Sequence, residues 1–599
     1  MDIHYQRLQA IRAMMNARGW DALVLTGSDP HSSEYVAPRW KQVEWVTGYD
    51  GEGDIVITAD HAGLWTDSRY FIAAEAVLPG SGFTLHKTRV PDEVGIPAWL
   101  AAQAAESGGD EYVVAIDGRS HSALRVGDIG DAAPVRIVSV PDILDFMWED
   151  RPMVPQTPII TLGDDFTGES RISKIEWLRA WLRERGCDAM LIGALDEVAW
   201  MLNVRGQDID YNPLVMSYLI VYQDKVEWYV LKGGEMDSET RDSLAELRAD
   251  GVRILHYDEI LPAASSLGDE LRLFADKSTL GYELCEYLSS GGCELVWGDS
   301  PVPLRKAVKN PVQIEGMKEA HFADGLVMEK FLYWLEKMVS AGERISEGEA
   351  ARKLGSLRAE IPEYRGDSFE TISAYGPHAA LPHYVIPEDG GAILHPSGLY
   401  LCDSGGQYLS GTTDITRTVP LGPVSRLEAE DYTLVLKGHI DLCTAIFPEN
   451  ISGCHLDVLA RGPLWRSKRN YGHGTGHGVG SFLGVHEGPQ DVRCNYRQCP
   501  LVPGMILTDE PGIYREGMHG VRHENVLLVV PAGRNEFARW YGFEPLTLCH
   551  FDTAPLLRDL LSEDEVQWIN DYNAMVYSRL SGHLPAAVAS WLRDKTRPI

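Results

Sequence analysis

Near the start of the chain, apolar residues recur at helical spacing. Leu8, Ile11 and the pair Met14 and Met15 lie three to four residues apart, and Gly19 closes the run, which predicts a helix ending there. Ala22-Leu23-Val24-Leu25 follows as a buried-strand run, and Ile55-Val56-Ile57-Thr58 and the stretch from Gly63 to Trp65 read the same way. Helix and strand patterns alternate, so an α/β domain is predicted over residues 1–155. Its end is marked by Arg151-Pro152-Met153-Val154-Pro155, a linker by composition. The opening pattern then returns. Ala17-Arg18-Gly19-Trp20-Asp21-Ala22-Leu23 is echoed by Glu184-Arg185-Gly186-Cys187-Asp188-Ala189-Met190. A helix pattern precedes each copy and a strand pattern lies within it, which predicts a second, duplicated α/β domain over 156–308.

Ser300-Pro301-Val302-Pro303 marks another boundary. Beyond it Ile314, Met317, Val327, Phe331 and Leu335 fall on one face of a long amphipathic helix. The tail is also helical, with Val566, Trp568 and Ile569, then Leu584, Ala587, Val588 and Trp591, at that spacing. Between these helices the pattern shortens to apolar strands that carry acids, and an α+β domain is predicted over 309–599. Tyr400-Leu401-Cys402-Asp403 reads as one strand and Thr412 to Val419 as its hairpin partner, with Thr412, Asp414, Thr416 and Thr418 on one face. Met505 to Glu510 is an apolar strand ending in acid, and a further strand begins at Gly520 and carries Glu524. A carboxylate inside such a strand is costly to bury unless it is paired or metal-bound. Asp403 and Asp414 side by side would repel unless a cation separates them. Between the two hairpins His473, His477 and His486 fall in a Gly-rich stretch, where the backbone can approach a ligand closely.

Four carboxylates and one imidazole balance two divalent cations and leave room for a bound hydroxide. Mostly oxygen donors with one imidazole suit Mn²⁺ better than a Cys/His zinc site. The formal net charge of −33 argues against nucleic acid or an anionic membrane as partner. No stretch reaches the roughly 18 unbroken apolar residues of a membrane span, and the first residues lack a signal-peptide pattern. Nine scattered cysteines without a Cys-x-x-Cys pair suit reduced thiols and predict a cytoplasmic protein.

The same residues carry a resemblance. Trp65-Thr66-Asp67-Ser68-Arg69-Tyr70, Asn203-Val204-Arg205-Gly206, Leu381-Pro382-His383-Tyr384, Asp403-Ser404-Gly405, Gly411-Thr412-Thr413-Asp414, Gly474-Thr475-Gly476-His477-Gly478, Val485-His486-Glu487-Gly488-Pro489, Asp509-Glu510-Pro511-Gly512 and Glu524-Asn525 occur in this order. The chain resembles the three-domain, cytosolic Xaa-Pro aminopeptidases (aminopeptidase P) of the pita-bread metallopeptidases. The resemblance implies two creatinase-like amino-terminal α/β domains and a pita-bread catalytic domain with a C-terminal helical extension. It implies that Asp403 chelates one ion, that His477 and Glu510 bind the other, and that Asp414 and Glu524 bridge the two. Glu510 would also take the proton of the bridging water. His383, His473 and His486 would act around the scissile amide and the proline pocket, and Arg522 and Arg69 would support the site or contact substrate. The implied substrate is a peptide with proline second, and the implied assembly a homodimer. A prolidase restricted to Xaa-Pro dipeptides, or a relative that only binds peptides or proteins, stays open on the motifs. Two departures stand out. His523 occupies a usually aliphatic position and brings an ionisable ring beside Glu524, and Ser373 to His378 is unusual ahead of His383.

Overall fold

The computed structural model describes residues 2–108, 111–132, 134–231 and 236–599. The chain divides into two compact units, residues 1–164 with 169–302, and residues 165–168 with 303–599.

The first unit opens with the helix Ile3–Arg18, capped by the Asp2 side chain, and ends at Gly19, whose φ of 66° lies in the left-handed region that glycine adopts freely. Leu8, Ile11, Met14 and Met15 form its buried face, as their spacing predicts. A six-stranded sheet follows in the order Thr84–Lys87, Ala62–Thr66, Asp54–Thr58, Ala22–Thr26, Tyr112–Ile116, Val135–Ser139. A second sheet has the order Val252–His256, Val226–Val230, Ser217–Tyr222, Ala189–Ile192, Arg272–Ala275, Glu294–Trp297. Position by position the two agree in sense. Ala22–Thr26 is antiparallel to one neighbour and parallel to the other, and so is Ala189–Ile192. The sequence echo therefore lands on the same strand of both sheets. Each sheet buries its own apolar cluster.

The second unit is built on the helix Pro311–Ser340. Asn310 and Gln313 close a reciprocal cap at its start, and Pro311 costs nothing where an N–H would be unpaired anyway. Met317, Val327, Phe331 and Leu335 are fully buried and Ile314 only partly, so the stripe faces the core as its spacing demands. The C-terminal helices Glu563–Leu580 and Ala586–Lys595 close over the largest cluster with Val566, Ile569, Val588 and Trp591, while Ala587 faces outward. Leu399–Ser404 pairs antiparallel with Ile415–Pro420, setting Asp403 opposite Thr416. A six-stranded sheet runs Phe447–Pro448, Arg539–Pro545, Asn525–Arg534, Ile506–Asp509, Gly476–Gly478, Glu487–Val492.

Two runs that read as single strands are broken. Gly411–Thr412 and Ile415–Pro420 flank Thr413 and Asp414, and His519–Arg522 and Asn525–Arg534 flank His523 and Glu524. The two halves belong to different sheets in both cases, so the chain must leave one ladder before entering the next. Both breaks hold an acid.

Candidate metal centre

Each acid sits where the local chain ends or interrupts a strand. Asp403 is the penultimate residue of Leu399–Ser404, and Glu510 follows directly on Ile506–Asp509. Asp414 and Glu524 occupy the two breaks. These breaks are tied together, because the Glu524 N–H donates to the Thr416 carbonyl at 3.1 Å and the Thr416 hydroxyl donates to Glu524 Oε2 at 2.7 Å. His477 lies in Gly476–Gly478. Neighbouring Gly476 is obligatory there, since a Cβ on it would sit 1.9 Å from the Thr508 carbonyl oxygen.

The five side chains converge. His477 Nε2 lies 3.4 Å from Asp414 Oδ2 and 3.5 Å from Glu510 Oε1. Asp414, His477 and Glu524 offer ligand atoms all within 4.8 Å of one another. His477 Nδ1 is 2.9 Å from the Gly478 carbonyl, an acceptor that keeps the proton on Nδ1 and leaves the Nε2 lone pair facing the acids. Asp403 belongs to the same cluster through Arg522, whose Nε donates to Asp403 Oδ2 and to Thr416 Oγ1, both at 3.1 Å.

The electrostatics call for a cation. Burial first, and the charge of Asp414 with it, pushes the Asp403 carboxyl up despite Arg522. Burial pushes Glu524 well above the usual carboxylate range, and Asp414, Asp403 and Glu510 add to the push. Burial takes Glu510 up to about 7 against the lowering pull of His477 and Arg522. An ion withdrawn from water costs several kcal/mol even after relaxation, against a total stability of about 5–15 kcal/mol. One arginine does not neutralise four acids. Asp403 Oδ1 is buried without a hydrogen-bond partner, an acceptor aimed at nothing the chain supplies. Donor set, charge and orphaned oxygen all fit a pair of divalent ions.

Around this cluster the outer residues are placed as follows. His486 is exposed between buried Val485 and Glu487, and its ring meets that of His477 edge-on with centroids 4.3 Å apart. Glu487 is gripped by the buried Lys306 and Lys309 ammonium groups, which fixes the main chain beside His486. His473 Nε2 lies 2.7 Å from the Tyr514 hydroxyl, and that hydroxyl accepts from Arg522 Nη1 at 2.7 Å. Arg522 is thus committed to Asp403 and Tyr514, a supporting position. His383 follows Pro382, whose carbonyl accepts from Arg522 Nη2 at 3.5 Å. Arg69 lies in the first unit, where Asp67 and Glu52 hold its guanidinium.

His523 behaves differently from its expectation. It is fully buried, edge-on to Tyr432 and Phe551, and burial, then Arg417, drives its pKa well below the ordinary histidine value. It is a neutral packing residue, because among the described residues no acceptor reaches either ring nitrogen to compensate its desolvation. Sequence reasoning also missed Tyr514 and Arg417. Arg417 donates to the Thr416, Glu524, Cys549 and His550 carbonyls and to Asn525 Oδ1, clamping the Glu524 break from behind. A lone arginine within the strand-like run Ile415-Thr416-Arg417-Thr418-Val419 was the available signal, and the structure buries it fully.

Comparison with known proteins adds the lineage. The sequence model of metallopeptidase family M24 matches residues 315–531, and that of the C-terminal region of peptidase M24 matches 539–599. Creatinase/prolidase N-terminal domain models match 7–145 and 150–313. A Metarhizium acridum protein named as an Xaa-Pro aminopeptidase P is 37% identical over 620 residues, covering 99% of each chain. The chain belongs to metallopeptidase family M24. Among solved M24 structures, the X-prolyl aminopeptidase of Caenorhabditis elegans, described as a cytosolic enzyme with a di-nuclear active site, matches 100% of both chains at 33% identity and a TM-score of 0.94. An Xaa-Pro dipeptidase from Bacillus anthracis is 26% identical with a TM-score of 0.51, and covers 63% of this chain and 98% of its own. The pita-bread architecture of M24 and its creatinase-like front domains are therefore those of this chain.

The acids of this M24 centre give stability a pH dependence. Glu510 is raised from its ordinary 4.5 to about 7, so the metal-free fold binds a proton that the unfolded chain has already released. That contribution is fully present below pH 4.5 and is lost as pH rises through 7. Cations replace the lost protons above that range. Added Mn²⁺ is therefore expected to raise the Tm of chelator-stripped protein by more at pH 8 than at pH 5.5. A larger gain at pH 5.5, read by scanning calorimetry, would contradict this.

Proposed function

We propose that this chain is a metal-dependent aminopeptidase that releases the first residue from peptides with proline in second place. The observation that carries the reading is the end-to-end likeness to an X-prolyl aminopeptidase, together with five ligand-type side chains gathered at one point of the M24 unit. On this reading Asp403 would hold one ion, His477 and Glu510 the other, and Asp414 and Glu524 would serve both, with Mn²⁺ the expected metal. When bound, the two ions supply an activated water and a Lewis acid for the scissile carbonyl.

The chain's own groups do the rest. Glu510, at the mouth of the strand Ile506–Asp509 and 3.5 Å from His477 Nε2, would take the proton of the activated water and pass it on to the leaving amine. His486, exposed beside His477, and His383 hydrogen-bond the amide and the oxygen that gains charge. His473, locked by Tyr514, borders the space for the proline ring. The bond before proline lacks an N–H, so recognition must come from the ring and the carbonyls. The same reading takes the protein as cytoplasmic, like its nematode relative, and as a homodimer, whose mass light scattering would give.

The dipeptidase relative reaches only part of the chain, which favours the aminopeptidase over the prolidase. The deciding measurement is turnover of Xaa-Pro-Yaa tripeptides beside Xaa-Pro dipeptides, with Mn²⁺ and with chelator. We expect the tripeptide to be favoured by about tenfold or more in kcat/KM, roughly 1.4 kcal/mol, and chelator to stop both reactions. Dipeptide preference would make it a prolidase. Full activity after metal removal would end the metal-dependent reading.

A further inference from the structure

The segment from Tyr375 to Ala392, which carries His383, has one short 3-10 turn, Gly376–Ala380, as its regular structure, and much of it is held at one point. That point is Glu347, in the first turn of the helix Glu347–Arg358, whose side chain is fully buried. Glu347 Oε1 accepts from the Tyr375 N–H at 2.7 Å, where the segment leaves the strand Ile372–Tyr375. Glu347 Oε2 accepts from the Tyr384 hydroxyl at 2.8 Å and from the Ala392 N–H at 2.7 Å. His378 Nδ1 lies 3.0 and 2.9 Å from the two oxygens, and its ring stacks on Tyr384. One carboxylate thus ties the beginning, the middle and the end of the segment. Gly391 leaves the room for this, since a Cβ there would fall 2.3 Å from Glu347 Oε2.

His383 lies between two fixed neighbours. On one side the Pro382 carbonyl accepts from Arg522 Nη2, and Arg522 is bound to Asp403. On the other, Tyr384 is tied through its hydroxyl to Glu347. A carboxylate with four donors cannot be copied by an amide, because the amide's NH₂ end would face N–H groups.

We propose that Glu347 is a positioning residue for catalysis. Through Tyr384 it fixes the His383 backbone and so aims the His383 ring at the metal centre. This rests on the role given to His383 above. The group acts at a distance and touches neither substrate nor metal, so its removal lowers kcat and leaves the ions in place. Small displacements of a reacting group cost up to about a hundredfold in rate.

The test is a set of variants assayed on an Xaa-Pro-Yaa tripeptide with the Mn²⁺-loaded enzyme. Tyr384→Phe is expected to lower kcat about tenfold, with KM within about twofold and metal content unchanged. Glu347→Gln is expected to lower kcat further, by about 30–100-fold. Because Glu347→Gln could unfold the segment outright, Tyr384→Phe carries the decision, placed in a cycle with His383→Ala. If Tyr384 acts through His383, then Tyr384→Phe costs less than about twofold in the His383→Ala background. An equal cost in both backgrounds, or a shift in KM or metal content without loss of kcat, overturns the positioning role while leaving the proposed function intact. A fully active His383→Ala enzyme overturns the positioning role together with the part given to His383, and leaves the proposed activity standing.

Discussion

Asp414→Ala is expected to remove one of two divalent metal equivalents and to lower kcat/KM by at least about 10³-fold, some 4 kcal/mol of transition-state stabilisation. Asp414 is 4% exposed, sits in a strand break and lies 3.4 Å from His477 Nε2 and within ligand reach of Glu524. The variant separates a ligand from a structural acid by an opposite effect on the two forms. Stripped of metal, the protein should be no less stable, since one of the charges that raise Asp403 and Glu524 has gone. Loaded with metal, it should lose most of the Tm gain seen in the parent. Elemental analysis, turnover and calorimetry on both forms check this. Two full equivalents with normal turnover would refute the shared position.

Most of the elements that hold the site were legible because their residues announce themselves locally. Leu8 to Met15 and Met317 to Leu335 keep helical spacing, and Ala22–Thr26 and Ala189–Ile192 share a pattern because they share a place in equivalent sheets. The acids were legible because a carboxylate among apolar strand residues demands a reason. The strand breaks were not. Thr412 to Val419 and Val526 to Val529 are rich in β-formers, and propensity cannot register a change of sheet that only the tertiary partners impose. The supporting shell was hidden for a related reason. Arg417 reaches the Cys549 and His550 carbonyls, and Glu347 reaches Tyr375, Tyr384 and Ala392, through contacts far apart in sequence. His523, an ionisable ring that the structure keeps neutral, shows the converse. A histidine beside a ligand looks functional until its surroundings are seen to be Tyr432 and Phe551.

His486→Ala is expected to keep both metal equivalents and to lower kcat by about 10²–10³-fold. The ring is exposed, so its loss opens no cavity and should leave the Tm close to the parent's. Its ring meets that of His477 edge-on with centroids 4.3 Å apart, which sets it next to the Asp414, His477 and Glu524 group. Its neighbours on both sides are anchored, Val485 by burial and Glu487 by Lys306 and Lys309. Such anchoring is wasted on a surface histidine with no task, and it suits a group that must meet the substrate carbonyl in one orientation. An interaction made only as charge develops lowers kcat and kcat/KM together, and KM should move little. Loss of a metal equivalent in this variant would instead make His486 a second imidazole ligand and shift the charge balance of the whole centre.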